Sequence, residues 1–378
     1  MSLTKYRALF PFLVNKIYLN HAAISPLSTD VRDKMDWFIN ERSFGEIDFY
    51  QDMLQLREQT RGSVARLINA SGEQIAFTGN TSEGFNWLVN GLEWREGDEI
   101  ILTDVEFPAN VYPFLNLERL GVKVVFVKNR RGVIEPEDIR AAITPKTRML
   151  SISFVEFLNG FRNDLTAIGA ICREHGLLFS VDAIQGLGAI PLDVQAMGID
   201  FLSCGGHKWL MGPAGAAFMY IKPALFQRLR PAFAGWLSVE NPWDFFDYKL
   251  EWQDDARRFE YGTQNFLGIA GLGASLDILL RVGVPTIEQH LLILGQQLVD
   301  GLSDLGFSFL GSPDPKHWSG IYTFRHEKAE DIFNYLREEQ IYPSLRDGAI
   351  RFAPHFYNNR EDIHEAIDAC DRALRKLS

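Results

Sequence analysis

Leu177-Leu178-Phe179-Ser180-Val181-Asp182-Ala183-Ile184-Gln185-Gly186 passes from a short apolar run into a loop that opens on an aspartate. Phe201-Leu202-Ser203-Cys204-Gly205-Gly206-His207-Lys208-Trp209-Leu210-Met211-Gly212-Pro213 repeats the design, with a lysine in the loop. Both runs have strand length and are bounded by glycine, so both read as buried strands. Outward from them, residues 64 to 222 alternate such runs with helical periodicity. The predicted strands are Ile75–Phe77, Ile100–Thr103, Lys123–Val127, Met149–Phe154, Leu177–Val181, Phe201–Cys204 and Ala217–Ile221. A helix is predicted over Thr166–His175, with Ile168, Ile171 and Cys172 on one face and Gly176 at its C′ position. The pattern predicts an α/β fold: a mainly parallel sheet covered by helices.

After Gly262 the texture changes. Ile269, Leu272, Gly273, Leu276, Leu279 and Leu280 mark one helix, and Ile363, Ala366, Ile367, Cys370 and Leu374 a terminal one. Strand-like pieces at Phe307–Leu310, Ile321–Phe324 and Ile350–Ala353 lie between them. The expectation is a large domain over residues 15–265 and a small α+β domain over 266–378, with residues 1–14 packing nearby.

Composition narrows the function. The chain has 378 residues, 46% hydrophobic and 23% charged, enough for one large core and a smaller one. A net charge of −11 disfavours nucleic acid or an anionic membrane as partner. Three cysteines, Cys172, Cys204 and Cys370, lie far apart without metal-ligand spacing, which predicts no metal site, no disulfide framework and a reducing, cytoplasmic setting. The apolar stretch Ala8–Val14 is short and split by Pro11, unlike a signal segment, and no run of ~18 apolar residues predicts a membrane span.

Asp182 ends one strand and Lys208 follows another, with two βα steps expected between them. Loops past strand C-termini converge on the crevice where open α/β sheets bind ligands. An acid and an amine there suit pyridoxal 5′-phosphate: the lysine holds the aldehyde as a Schiff base and the carboxylate keeps the ring nitrogen protonated. Read singly, Asp182 could cap a turn and Lys208 could be a solvated loop residue. Gln185 is a candidate donor to the phenolate oxygen, and His207 a candidate phosphate contact or loop-ordering group; either could instead be a structural hydrogen-bonder. Phe77-Thr78-Gly79-Asn80-Thr81-Ser82-Glu83-Gly84 leads a strand into a helix whose start offers free N–H groups to an anion. Thr81 and Ser82 add hydroxyls there, though either could simply be an N-cap.

Asn80-Thr81-Ser82-Glu83-Gly84, Asp182 with Gln185, His207-Lys208 before Gly212-Pro213, and Arg258-Phe259-Glu260-Tyr261-Gly262-Thr263 together resemble the class V aminotransferase family. The resemblance extends from Tyr18-Leu19-Asn20-His21-Ala22-Ala23 to Arg351-Phe352-Ala353-Pro354-His355-Phe356-Tyr357-Asn358. It implies fold type I, with a seven-stranded cofactor domain and a small C-terminal domain. It implies that Phe107 stacks on the cofactor ring, where core packing is the alternative. It places Arg351 on the substrate carboxylate, with Asn20 and His21 also on the substrate side. It implies a homodimer in which Thr263 reaches the neighbouring subunit's phosphate.

Three departures stand out. Gly205 replaces a serine that contacts phosphate, leaving Ser203 as a possible substitute. Phe157 falls where desulfurases carry an asparagine, leaving Asn159 as a candidate. The stretch Ile341–Ile350 lacks the cysteine that accepts sulfur in desulfurases. The resemblance therefore implies an aminotransferase acting on a small amino acid or amine, with an epimerase or a C–S or C–C lyase as alternative. A desulfurase with a catalytic cysteine is not expected. A non-catalytic nucleotide binder is disfavoured because the glycines lack GxGxxG spacing. Trp236, Trp243, Phe245 and Phe246 read as an apolar pocket wall or as dimer-interface core.

Overall fold

The computed structural model describes residues 3–377. The chain runs through β1 (Ile17–Tyr18), β2 (Ile75–Thr78), β3 (Glu99–Thr103), β4 (Lys123–Val127), β5 (Thr147–Ser153), β6 (Leu178–Asp182), β7 (Phe201–Gly205) and β8 (Ala217–Ile221). The seven predicted strands are β2 to β8, and they form one sheet of order β2-β8-β7-β6-β5-β3-β4. Only β8 runs against its neighbours. Every residue of β6, β7 and β8 is buried, the condition of central strands covered on both faces and the reason their sequences read as unbroken apolar runs.

The βα steps expected between Asp182 and Lys208 are absent: residues 183–200 link β6 to β7 through turns without a helix. Gly188, at φ +100°, and Pro191 interrupt helical backbone there. A substituent on Gly188 would meet the Trp209 carbonyl oxygen at 2.5 Å, so the link lies directly under the lysine loop.

The C-terminal region holds β9 (Ser308–Phe309), β10 (Tyr322–Arg325), β11 (Ile341–Tyr342), β12 (Ser344–Arg346) and β13 (Ala349–Phe352). β12-β13-β10-β9 form an antiparallel sheet, while β11 pairs in parallel with β1. The sequence reading missed β11 and β12, and it missed the helices Thr29–Phe44 and Tyr50–Leu67. Those two helices pack on the helix Phe266–Val282.

Besides a core of Phe85, Leu88, Phe114 and Phe201 on one face of the seven-stranded sheet, two large cores divide the chain. The first extends from Tyr6 and Phe10 through β5 to β7 into Ile269, Leu272, Leu276 and Leu291. The second begins at Leu294 and collects Tyr322, Phe324, Ile350, Phe352 and the terminal helix Arg360–Leu377, with Leu19 contributed by the N-terminal segment. The expected division at 265/266 thus falls at the start of a helix whose side chains belong to the first core. Residues near the N-terminus touch both parts, Arg7 pairing with Asp362 at 2.6 Å. Among the described residues no single helix is long and apolar enough to cross a membrane.

Gly84, in the helix Thr81–Gly91, lies against β7: an added Cβ would sit 2.3 Å from Ser203 Oγ. Helix propensity alone favours Gly→Ala by up to ~1 kcal/mol. The steric conflict outweighs it, because overpacking a buried contact destabilises by about 1–3 kcal/mol. Gly84→Ala should therefore lower the denaturant midpoint, and adding Ser203→Gly should restore most of it. A more stable Gly84→Ala protein would show that the helix is not seated on the strand as described.

Candidate active site

The C-terminal ends of β3, β5, β6 and β7 open on one side of the sheet, as does the helix that follows β2. Their loops enclose a cavity of about 640 Å³. Its walls include Ala22, Ala23, Thr81, Ser82, Phe107, Phe157, Asp182, Gln185, His207, Lys208, Arg346 and Arg351. Eight sequence candidates therefore meet in one space: Thr81, Ser82, Phe107, Asp182, Gln185, His207, Lys208 and Arg351.

Asp182 is the last residue of β6 and is almost fully buried. Its Oδ1 accepts from the Ile184 N–H at 3.0 Å, whereas its Oδ2 is buried without a partner. Burial pushes its pKa up to about 7, and the Glu106 carboxylate adds to the rise while Lys208 opposes it. Lys208, three residues past β7, is buried too, and burial pushes its amine down to about 8 against the pull of Asp182; Arg351 and Arg346 add to the fall. An unfilled carboxylate oxygen and an ammonium with little water both call for a ligand.

Phe107 is 41% exposed, with the Lys208 Nζ 5.3 Å from its ring centroid. A ring so open is not core packing, which was the alternative for this residue. Its edge is fixed by Phe157, at 5.3 Å and 76°. Glu106 holds the loop beneath it, accepting from Thr103 Oγ1 (3.1 Å), Asn110 Nδ2 (2.8 Å), Ser153 N (2.9 Å) and Ser153 Oγ (2.6 Å).

At the helix start, Asn80 is the N-cap: its Oδ1 accepts from the Glu83 N–H at 2.9 Å, and Glu83 Oε2 accepts from Gly79 N–H at 2.7 Å. Capping is therefore done without Thr81, whose buried Oγ1 has no partner and lies on the cavity wall. A free hydroxyl at the start of a helix, where the first N–H groups lack intrahelical partners, is an arrangement that could hold an anion.

Arg351, on β13, is buried and has no carboxylate within ion-pairing distance among the described residues. Its Nε donates to Ser344 Oγ at 3.2 Å and its Nη1 to the Phe157 carbonyl at 2.5 Å. Gln185 is committed on both sides, donating to the Ala22 carbonyl and accepting from Trp209 Nε1, each at 3.0 Å. One amide hydrogen remains for the cavity.

Several candidates lie elsewhere. His21 is fully buried behind the wall, its Nε2 in a short hydrogen bond with the Tyr357 hydroxyl and its ring 4.6 Å from that of His355. Asn20 is bridged to Ala353 and is not on the wall. Ser203 donates its hydroxyl to the Thr81 carbonyl at 2.9 Å inside the sheet, so it does not replace the missing phosphate contact. Asn159 spends its amide on Gly132 O and Phe161 N. Thr263 lines a separate depression with Gly79, Glu83 and Asn265. Arg346 was missed; the signal for it is Asp347-Gly348 between two strand-like runs, a hairpin turn that sets Arg346 across from the strand carrying Arg351.

Comparison with known proteins places the chain in a family and a fold. The model of the aminotransferase class-V family matches residues 17–364. A probable cysteine desulfurase of Methanothermobacter thermautotrophicus is 31% identical, with 93% of each chain covered. An uncharacterised aminotransferase of Bacillus subtilis is 28% identical over 96% of each. Among solved structures, the apo cysteine desulfurase of Thermococcus onnurineus superposes with a TM-score of 0.90 at 26% identity, covering 98% of both chains. The cystine C–S lyase C-DES in complex with its product cysteine persulfide gives 0.88 at 28%, covering 96% of this chain and 99% of the other.

An amine poised at about 8 instead of the usual 10.5 has a sharp signature. Capture of an aldehyde by the apoprotein, trapped with borohydride and located by mass spectrometry, should fall on Lys208 and reach half its maximal rate near pH 8. A rate still climbing steeply at pH 10, or an adduct on another lysine, would contradict the burial argument.

Proposed function

The chain belongs to the aminotransferase class-V family, and from that premise we propose that it is a C–S lyase, cleaving the Cβ–S bond of a cysteine-derived amino acid. Its cofactor is pyridoxal 5′-phosphate, which when bound supplies an electron sink for the carbanion at the substrate Cα. Lys208 is the residue that holds the aldehyde and, once displaced, takes the Cα proton; an amine near pKa 8 has a neutral fraction at physiological pH. Asp182 Oδ2 would accept from the ring nitrogen, Phe107 would lie against the ring, and Thr81 with the helix start would hold the phosphate. Arg351 takes the α-carboxylate through the part of its fork not used by Ser344 and Phe157.

With cystine the balance is cystine plus water giving cysteine persulfide, pyruvate and ammonia. The Cα–H proton passes to Lys208, and the Cβ–S electron pair leaves on sulfur. Transamination stands first in the sequence reading; similarity to desulfurases and to a cystine lyase supports the elimination chemistry more directly.

The observation that carries the choice of lyase over desulfurase is that, among the described residues, no thiol lies on the cavity wall. Cys204 lies within β7, buried, and burial pushes its thiol far above the usual range. Cys172 and Cys370 are buried on helices, each pushed up to about 12. Such thiols do not form the thiolate that accepts sulfur.

The same reading makes the enzyme a homodimer in which Thr263 serves the neighbouring subunit's phosphate. Its support is the position of Thr263 away from its own chain's Lys208 cavity, together with exposed Phe246 and Tyr248 in the aromatic loop. Sedimentation should give a dimer, and Thr263→Ala should weaken cofactor binding; a monomer that retains full cofactor affinity removes this part.

Incubation with cystine should release pyruvate and persulfide, and a variant with all three cysteines replaced by alanine should keep this activity once shown to be folded. Alanine release from cysteine that one replacement abolishes would mark a desulfurase. Conversion of the bound cofactor to its amine form by amino donors, with no pyruvate, would mark an aminotransferase.

A further inference from the structure

The cavity is cationic in a chain that is strongly anionic overall. Lys208, Arg346 and Arg351 face it, and among the described residues Asp182 is the one carboxylic acid on its wall. Asp182 and Lys208 oppose each other, and Arg351 matches one carboxylate. Arg346 is left over.

Its placement is set by the backbone. β12 and β13 pair with Ser344 opposite Arg351 and Arg346 opposite Ala349. Ser344 and Arg346, two residues apart on one strand, share a face of the ladder, and the Arg351–Ser344 hydrogen bond puts Arg351 on that face. The two guanidinium groups therefore stem from diagonal positions, with Arg346 about 7 Å along the strand from the Ser344 that Arg351 contacts. Asp347 and Gly348 close the hairpin with φ of +47° and +68°, the tight two-residue turn that fixes this register. The turn's own acid does not neutralise Arg346: Asp347 faces Arg325, at 3.9 Å. No carboxylate pairs with Arg346 among the described residues, and it lines the cavity from an exposed position on its rim.

We infer that Arg346 is a specificity residue for a second anionic group on the substrate, so that the preferred substrates are amino acids whose sulfur-linked side chain ends in a carboxylate or similar anion. This rests on reading the cavity as an amino-acid site, but not on which bond is broken there. Arg351, deep and held by two hydrogen bonds, takes the α-carboxylate; Arg346, nearer the mouth and free to move, takes the distal anion. Phe157, whose carbonyl positions Arg351, and Ala22 and Ala23 give the intervening side chain an uncharged path. A neutral side chain would leave Arg346 unpaired, so the arginine selects by charge and not by size.

The test uses a pair of near-isosteric ligands, S-carboxymethyl-L-cysteine and S-carbamoylmethyl-L-cysteine, which differ in the charge at the far end. Binding to the holoenzyme is read from the change in cofactor absorption, whether or not turnover follows. The wild type should prefer the carboxylate. Arg346→Gln should reduce that preference about tenfold, leave the affinity for the neutral ligand and for the cofactor unchanged, and be partly rescued by Arg346→Lys. Equal binding of both ligands by the wild type would overturn the inference. So would an equal loss for both in Arg346→Gln, or a loss of cofactor affinity. Both ligands binding with the predicted discrimination but releasing no pyruvate would sink the lyase reading and leave this one standing.

Discussion

A carboxylate oxygen buried without a proton to face is unstable, and Asp182 Oδ2 is such an atom. Strand β6 can hold it there because it is paired in parallel on both sides, with β5 from Leu178 to Asp182 and with β7 from Ser180 to Asp182, which fixes its backbone. The Asp182 carbonyl accepts from the Phe154 N–H at 2.8 Å, and the Ser203 carbonyl accepts from the Ala183 N–H at 3.1 Å. Neither the side chain nor its strand can turn away to find water. Behind it, Glu156 is pushed well up by burial and by Glu106, and is held by Asn163 at 2.8 Å. Asp182 thus lies over two further buried carboxylates, those of Glu106 and Glu156, and Lys208 is the cation set against it on the cavity wall.

The helix start at the cavity wall depends on a second buried charge arrangement. Glu260 accepts from Arg61 Nη1 and from the Phe77 N–H, both at 2.7 Å, while Arg61 Nη1 also donates to the Ile75 carbonyl at 2.6 Å. Arg61 and Glu260 lie far apart in sequence, and together they clamp the edge strand β2 from which Thr81 and its helix start. A buried ion pair of this kind gains little net stability after desolvation, but removing one partner strands the other. Its evident effect is to fix the position of β2 relative to the cavity.

The sheet was legible because its strands are buried on both faces and so carry unbroken apolar runs. Asp182 and Lys208 were legible because strand ends and glycine-rich loops punctuate them. The helices Thr29–Phe44 and Tyr50–Leu67 were not: Val31 is the only fully buried residue of the first, and the second buries Thr60, Arg61 and Ser63 alongside its apolar positions. Their periodicity carries no apolar stripe because the buried face is partly polar. The N-cap went to Asn80 and not to Thr81 or Ser82, a choice set by one hydrogen bond. Ser203, Asn159 and His21 were named for chemistry that their neighbours already use up, and only spatial partners reveal that. Arg346 was not legible because its approach to Arg351 depends on the hairpin register that pairs Ser344 with Arg351, which the short runs on either side of Asp347-Gly348 do not specify.

The central claim is that the free Asp182 oxygen is reserved for a protonated ring nitrogen opposite Lys208. Nitrogen-15 NMR of holoenzyme reconstituted with ring-labelled pyridoxal 5′-phosphate tests it directly. The account predicts a protonated ring nitrogen in the wild type across neutral pH, and loss of that proton in a folded Asp182→Asn variant. A ring nitrogen that is unprotonated in the wild type, or protonated equally in both proteins, would contradict it.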